Sequence, residues 1–337
     1  MAAVFCFGEL LLRYSPVLNG EWIYQSYMPV FVGGAELNVA RALARWQVPV
    51  SYGTALPNND LTREIIDFVR SEGIDIDSIL LSGSRIGTYY LPQGADLKNA
   101  GVIYDRANSS FYDLKPGQID WDTILAGKTW FHFSAISPAL NENVALVCKE
   151  GLQVASNKGL TISVDLNYRS KLWQWGKEAI DVMPDLVQYC DIVMGNIWAA
   201  EKMLGVKLPN DFTASKENFV TMAESTAKAI CSQFKQCRQV ANTFRFDEAD
   251  GQLKYYATLF QNGNSVVSNT HHTAGVIDKV GSGDCFMAGL IYGNLSNMPA
   301  QEIIEFAAAA AFSKLFVKGD ATTQSVQEIK EGYLNDV

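Results

Sequence analysis

The sequence predicts an α/β fold built on a doubly wound, mostly parallel sheet. Short apolar, β-branched or aromatic runs recur along the chain, and segments of helical apolar period separate them. The residues that follow those runs are polar and specific: Gly8-Glu9, Asp165-Leu166-Asn167-Tyr168-Arg169, Gly195-Asn196 and Thr243-Phe244-Arg245. Ligands of open parallel sheets bind at the carboxyl edge, so topology should gather these residues on one rim.

The elements follow in order. Val4–Phe7 is the first strand. Gly33-Gly34 open a helix over Glu36–Trp46 on which Leu37, Ala40, Leu43 and Ala44 share a face. Val50–Ala55 is a strand, and Ile65, Phe68 and Val69 mark the next helix. Trp130–Ser134, Leu160–Val164, Asp191–Met194 and Gln239–Thr243 are further strands. Glu142–Asn157, Glu178–Tyr189, Glu217–Phe234, Cys285–Asn294 and Glu302–Val317 are further helices. Two regions, about 12–32 and 85–112, break the rhythm. They hold Tyr14, Trp22, Tyr24 and Tyr27, then Tyr89, Tyr90, Tyr104 and Tyr112, with strand-like alternation. They read as β-ribbons, either joined in one small lid sheet or lying apart as two surface hairpins.

Composition narrows the function. The 337 residues are 48% hydrophobic and 19% charged, which fits a globular chain rather than a disordered one. A formal charge of −9, without a basic run, argues against nucleic acid and anionic membranes as partners. The Met1-Ala2-Ala3 start has no charged region typical of a signal peptide, and Ile303–Val317 is too short to span a bilayer. Six cysteines without a CxxC pair read as reduced thiols of a cytoplasmic protein. Only three histidines occur, and His271 and His272 would face opposite ways in a strand, so no metal site is assigned.

The sharpest motif is Asp278-Lys279-Val280-Gly281-Ser282-Gly283-Asp284, followed by a helical apolar run. A glycine turn that opens a helix presents free N–H groups and the positive end of a dipole, suited to phosphate. A carboxylate beside that phosphate could accept a hydroxyl proton during phosphoryl transfer. An aspartate capping a helix after a glycine turn is the alternative, and the four residues Gly281 to Asp284 alone favour it. Asn38, among apolar neighbours on its helix, should have a buried partner.

Gly281-Ser282-Gly283-Asp284 resembles the C-terminal signature of the ribokinase-like (PfkB-type) carbohydrate kinases, and Val32–Ala40 resembles their N-terminal Gly-Gly…Asn-x-Ala signature. Within that family the chain is most similar to 2-keto-3-deoxygluconate kinases, through Gly8–Arg13, Val102–Ala107, Trp130–Ser134, Val164–Trp173 and Lys318–Asp320. These stretches stand in family order and reverse the odds set by the turn alone. The resemblance implies one Rossmann-like domain over residues 1–337 with a β lid, ATP as donor, Mg²⁺ as its partner and a dimer joined through the lids. It implies Asp284 as catalytic base and Gly281, Ser282 and Gly283 as the anion hole. Gly33, Gly34 and Asn38 would take sugar hydroxyls, and Glu9, Tyr89, Tyr104, Arg106, Arg169 and Asp320 would contact an acid sugar. Asn167, Asn196, Thr243 and Arg245 would lie near the nucleotide phosphates.

Two departures stand out. Where the family has Asn-x-x-Glu the chain has Asn196-Ile197-Trp198-Ala199, so either Mg²⁺ would be held mainly by phosphates and water or turnover would be weakened. The family's glycine-rich turn after the sixth strand is replaced by Thr243-Phe244-Arg245-Phe246-Asp247. The leading expectation is an ATP-dependent kinase of the terminal hydroxyl of 2-keto-3-deoxygluconate. The alternatives are a kinase of a neutral sugar such as fructose or ribose, and a weakly active or non-catalytic sugar-sensing relative. Against a neutral sugar stand Arg106 and Arg169, which such a ligand would leave desolvated and unpaired. A dinucleotide-dependent dehydrogenase is remote, because no GxGxxG follows the first strand.

Overall fold

The computed structural model describes residues 3–17, 20–24, 26–93, 101–209, 213–248 and 252–334. Met1 and Ala2 lie outside it, as do residues 18, 19, 25 and 94–100 of the two expected ribbons. In chain order the strands are β1 (Val4–Phe7), β2 (Leu11–Tyr14), β3 (Val30–Gly33), β4 (Val50–Leu56), β5 (Ile79–Leu81), β6 (Gly87–Tyr90) and β7 (Ile103–Asp105). They continue as β8 (Trp130–Ser134), β9 (Thr161–Asp165), β10 (Ile192–Gly195), β11 (Gln239–Asp247), β12 (Leu253–Gln261), β13 (Asn264–Val267) and β14 (His271–Thr273). The helices are α1 (Ala35–Arg45), α2 (Asp60–Ser71), α3 (Trp121–Ile124), α4 (Glu142–Asn157) and α5 (Ala179–Val187). After them come α6 (Ile197–Leu204), α7 (Lys216–Gln233), α8 (Ser282–Leu295), α9 (Ala300–Lys314) and α10 (Val326–Leu334).

The main sheet runs β13-β12-β11-β10-β9-β8-β1-β4-β5, with β14 also paired to β12. From β11 to β5 every pairing is parallel, and β12 to β14 add an antiparallel edge. Both faces are covered. Leu37, Leu43, Phe286, Leu290 and Phe306 build one core from α1, α8 and α9. Val144, Leu152, Met183 and Met203 build the other from α4, α5 and α6. That double cover explains why β4 and β8 show no apolar-polar alternation and are buried throughout. Asn59 and Asn141 start α2 and α4 by accepting the N–H of Thr62 at 2.9 Å and of Val144 at 3.0 Å.

One strand is longer than its pattern predicts. β11 does not stop at Thr243 but continues to Asp247, paired antiparallel with β12 along its whole length. Thr243 and Arg245 are therefore strand residues, two apart on one face, while Phe244 and Phe246 turn the other way onto Phe219 and Tyr256. The antiparallel edge itself and the short elements β5, α3, α6 and α10 carry too little periodicity to be read from sequence.

The two ribbons form one separate sheet, ordered β3-β2-β6-β7. β2 leaves the main sheet only three residues after β1 and pairs with β6 in parallel, Arg13 opposite Tyr89. Strand alternation divides its faces. Leu11 and Tyr89 face the cavity with Tyr104, whereas Tyr90 stacks on Tyr14 at 5.1 Å on the opposite face. His271 is buried and His272 exposed, as alternation in a strand requires.

Candidate active site

β1 and β8 are sheet neighbours although the chain between them visits β4, β5 and the small sheet. Such a reversal of winding opens a crevice at the carboxyl edge. The cavity found there is lined by Glu9, by Asp165, Asn167, Tyr168 and Arg169 after β9, and by Gly195 and Asn196 after β10. Thr243 and Arg245 of β11, Gly34, Glu36 and Asn38 around the start of α1, and Tyr89, Tyr104 and Arg106 from the small-sheet side also line it. Lys279 through Asp284 close it.

The 281–284 turn has the geometry expected of an anion cradle. Gly281 sits at φ 77°, and a Cβ there would meet the Asp320 carbonyl at 1.8 Å, so only glycine fits. A Cβ on Gly283 would meet nothing within 4 Å, which leaves room for a ligand against the backbone. The N–H groups of Ser282, Gly283 and Asp284 precede the first intrahelical bond of α8, which Cys285 donates to the Gly281 carbonyl at 2.8 Å. Ser282 turns its hydroxyl away, donating to the Ala311 carbonyl at 2.8 Å.

Asp284 is 9% exposed and accepts a hydrogen bond from Asn38 Nδ2 at 2.7 Å. That bond joins the two glycine motifs across 246 residues and supplies the partner Asn38 was expected to have. The Asn38 carbonyl oxygen Oδ1 is buried with no partner among the described residues and can accept from a ligand. Burial pushes the Asp284 carboxyl up to about 8; the Asn38 bond opposes this, and like-charged Asp165 and Glu36 add to the rise. A carboxyl poised near neutrality suits a general base.

Glu36 is a cavity residue that the sequence did not single out. It accepts from the Ser134 N–H at 2.9 Å and hydroxyl at 2.6 Å, and burial pushes it up to about 7. An acid in the first turn of a helix reads as an ordinary response to the helix dipole. Its true target, at the end of β8, is distant in sequence. Lys279 also lines the cavity, held by Asp247 at 3.1 Å.

The arginines differ. Arg106 and Glu9 are both buried and paired, with Arg106 Nε donating to Glu9 Oε2 at 2.6 Å, and Ser109 donates to the other oxygen of Glu9. This corrects the expectation that a neutral ligand would strand two cations, because Glu9 already neutralises Arg106. Arg169 is half-buried, and its one hydrogen bond among the described residues is donated by Nη1 to the Tyr168 carbonyl at 3.1 Å.

Two expected ligand contacts lie elsewhere. Asp320 does not line the cavity: it is 2% exposed, accepts from Arg13 Nε at 2.8 Å and takes the Tyr89 hydroxyl at 3.3 Å. Gly33 backs onto it, since a Cβ there would meet Asp320 Oδ2 at 2.3 Å. Arg13, invisible as a site residue, draws Asp320 away from the cavity. Asn196 reaches the rim but uses Oδ1 to accept from the Ala199 N–H at 2.8 Å and start α6, while Ala199 itself is buried in the second core. Asn167 is positioned by its N–H, which donates to Asp165 Oδ1 at 3.0 Å.

Among the described residues no cluster of three acidic, histidine or cysteine side chains could cage a metal. A divalent ion would arrive with phosphate oxygens and water, which Mg²⁺ tolerates. The glycine turn and its open approach fit a nucleotide triphosphate tail.

Comparison with known proteins bears on the whole chain. The model of the pfkB family of carbohydrate kinases matches residues 1–326. A 2-dehydro-3-deoxygalactonokinase of Haloferax volcanii is 28% identical over 330 residues, 98% of this chain and 96% of that one. The crystal structure of 2-dehydro-3-deoxygluconokinase from Thermotoga maritima superposes with a TM-score of 0.89 at 34% identity, covering 98% of this chain and 99% of the other. Fructokinase-1 of Oryza sativa subsp. japonica is 24% identical over 292 residues, 86% of this chain and 81% of the relative.

Proposed function

The chain belongs to the pfkB family of carbohydrate kinases, and on that premise we propose that it phosphorylates the terminal hydroxyl of 2-keto-3-deoxygluconate or a close acid-sugar epimer, with ATP as donor. The observation that carries the reading is the buried Asp284 carboxylate, held by Asn38 at the mouth of the 281–284 turn. Asp284 accepts the proton of the attacking hydroxyl while the N–H groups of Ser282, Gly283 and Asp284 take up charge on the transferring phosphoryl group. Mg²⁺ bound with the nucleotide would neutralise its phosphate oxygens. Gly34, Asn38 and the tyrosines of the small sheet hold the sugar, with the small sheet acting as its lid. Thr243 and Arg245 face the nucleotide side, beside Asn167 and Asn196.

Arg169 gives the acid preference. Its guanidinium lines the cavity with a carbonyl as its hydrogen-bonding partner, and its planar fork matches a carboxylate. A neutral sugar is the second reading, favoured by the pairing of Arg106 with Glu9. Arg169→Lys distinguishes the two. It keeps the charge and loses the fork, so apparent affinity for 2-keto-3-deoxygluconate should fall about tenfold or more while turnover of a neutral hexose changes little. Titration of both sugars at saturating ATP reads this out, and equal losses for the two would reject the acid-sugar assignment.

Exposed apolar residues on and beside the small sheet support a dimer formed through the lids. Val30 of β3 and Ile103 of β7 are exposed, as are Ile23, Tyr24 and Tyr27 in the segment between β2 and β3, Ile23 by 94%. All six cysteines are free thiols, which fits a reducing compartment such as the cytoplasm.

A further inference from the structure

Lys314, the last residue of α9, is fully buried, with 0% exposure. Burying an ammonium without an ion-pair partner is costly, and such a group persists where its charge or its donors are used. No carboxylate pairs with Nζ at salt-bridge distance among the described residues. Instead Nζ donates to two backbone carbonyls, Val317 at 2.9 Å and Asp278 at 3.5 Å.

Those carbonyls belong to the two segments that shape the phosphate turn. Residues 277–280 enter it, and residues 315–320 pass behind it. The segments are bonded by the N–H groups of Ile277 and Asp278, both donating to the Leu315 carbonyl at 2.8 and 3.1 Å, and by Gly319 N–H donating to Asp278 Oδ2 at 3.1 Å. The Asp320 carbonyl then lies so close to Gly281 that a side chain cannot intervene. A shift of Asp278 would move Gly281 and every N–H group that follows.

We propose that Lys314 is a positioning residue for phosphoryl transfer, an internal cation that fixes the Asp278 and Val317 carbonyls and so aims the 281–284 N–H groups. Its charge also adds positive potential behind a turn that must stabilise an anion. Burial pulls its basicity down, while nearby Asp278 and Asp320 favour the charged form. The proposal rests on the reading of 281–284 as the phosphate turn.

The test is Lys314→Met, which keeps length and packing and removes the donors. Turnover should fall at least about tenfold, against the ~10²-fold or greater cost of losing a direct oxyanion donor. The KM for the acid sugar should hold, because the sugar does not touch this lysine. Ammonium chloride should restore part of the loss when sodium chloride at equal ionic strength does not, since the missing group is itself an ammonium. Turnover within twofold of wild type, or equal responses to the two salts, would overturn the proposal. So would parallel losses in turnover, sugar KM and melting temperature, which would mark a plain scaffold residue. If the methionine variant does not fold, Lys314→Gln is read by the same criteria. Asp284→Asn run alongside separates the two claims: wild-type turnover there would reject the phosphate turn whatever Lys314 does.

Discussion

Two buried acidic clusters lie back to back behind and in front of the glycine turn, and they are built on opposite electrostatic plans. Behind it, Asp278 and Asp320 close on Arg13 at 3.0 and 2.6 Å, with the Lys314 ammonium nearby. In front, Asp284 and Glu36 face the cavity with amide and hydroxyl donors and no cation at salt-bridge distance among the described residues. In the first cluster Arg13 opposes the rise that burial imposes on Asp320, and the ion pairs fix a backbone. The second is left frustrated, with both carboxyls raised by burial, to about 8 and about 7. Compensated charge serves structure; uncompensated charge, kept in place by neutral donors, can move a proton.

The contrast can be broken from either side, and the rear cluster should break hardest. Arg13→Met strips the one guanidinium shared by two buried carboxylates, and removing one partner of such a pair costs roughly 3–5 kcal/mol. Denaturant unfolding should show that loss. A change below about 1 kcal/mol would mean that Arg13 is not what holds Asp278 and Asp320.

Asp284→Asn should lower turnover by at least ~10²-fold while leaving sugar binding nearly intact, because the carboxylate is needed only as the hydroxyl proton departs. It should also raise stability at alkaline pH. Between about pH 4 and about pH 8 the carboxyl raised in the fold stays neutral while its unfolded counterpart is ionised, so wild-type stability drops across that range and stays low above it. The variant escapes that loss. Melting curves at pH 5 and pH 9 should therefore separate the two proteins only at the higher pH, and a variant less stable than wild type at pH 9 would contradict the assignment.

Glu36→Gln is the smallest change and sharpens the front cluster. Its amide oxygen can still accept from Ser134, but the like charge beside Asp284 is gone. The acidic limb of the kcat/KM profile, expected near pH 8 from Asp284, should move to lower pH with modest change in the plateau. An unmoved limb would show that Glu36 and Asp284 do not sense each other.

Much of this protein was legible in its sequence because the signals are local. A strand buried on both faces favours a short run rich in aromatic or apolar residues, and Trp130–Ser134, with three aromatic apolar residues in five, shows one. A helix of sixteen residues repeats its apolar face often enough to be bounded to the residue, as Glu142–Asn157 was. Asp284 and Asn38 were findable because glycine turns mark both, and glycine is demanded by backbone geometry that no partner can supply. Tertiary structure alone decided who pairs with whom. Whether the two ribbons joined, how far β11 ran, and that Glu9 claims Arg106 while Arg13 claims Asp320 all depend on contacts between residues distant along the chain. A guanidinium looks the same in sequence whether a ligand or a neighbouring carboxylate will neutralise it. Only the folded distances, 2.6 Å from Arg106 Nε to Glu9 and 2.6 Å from Arg13 to Asp320, assign those two charges to the protein itself.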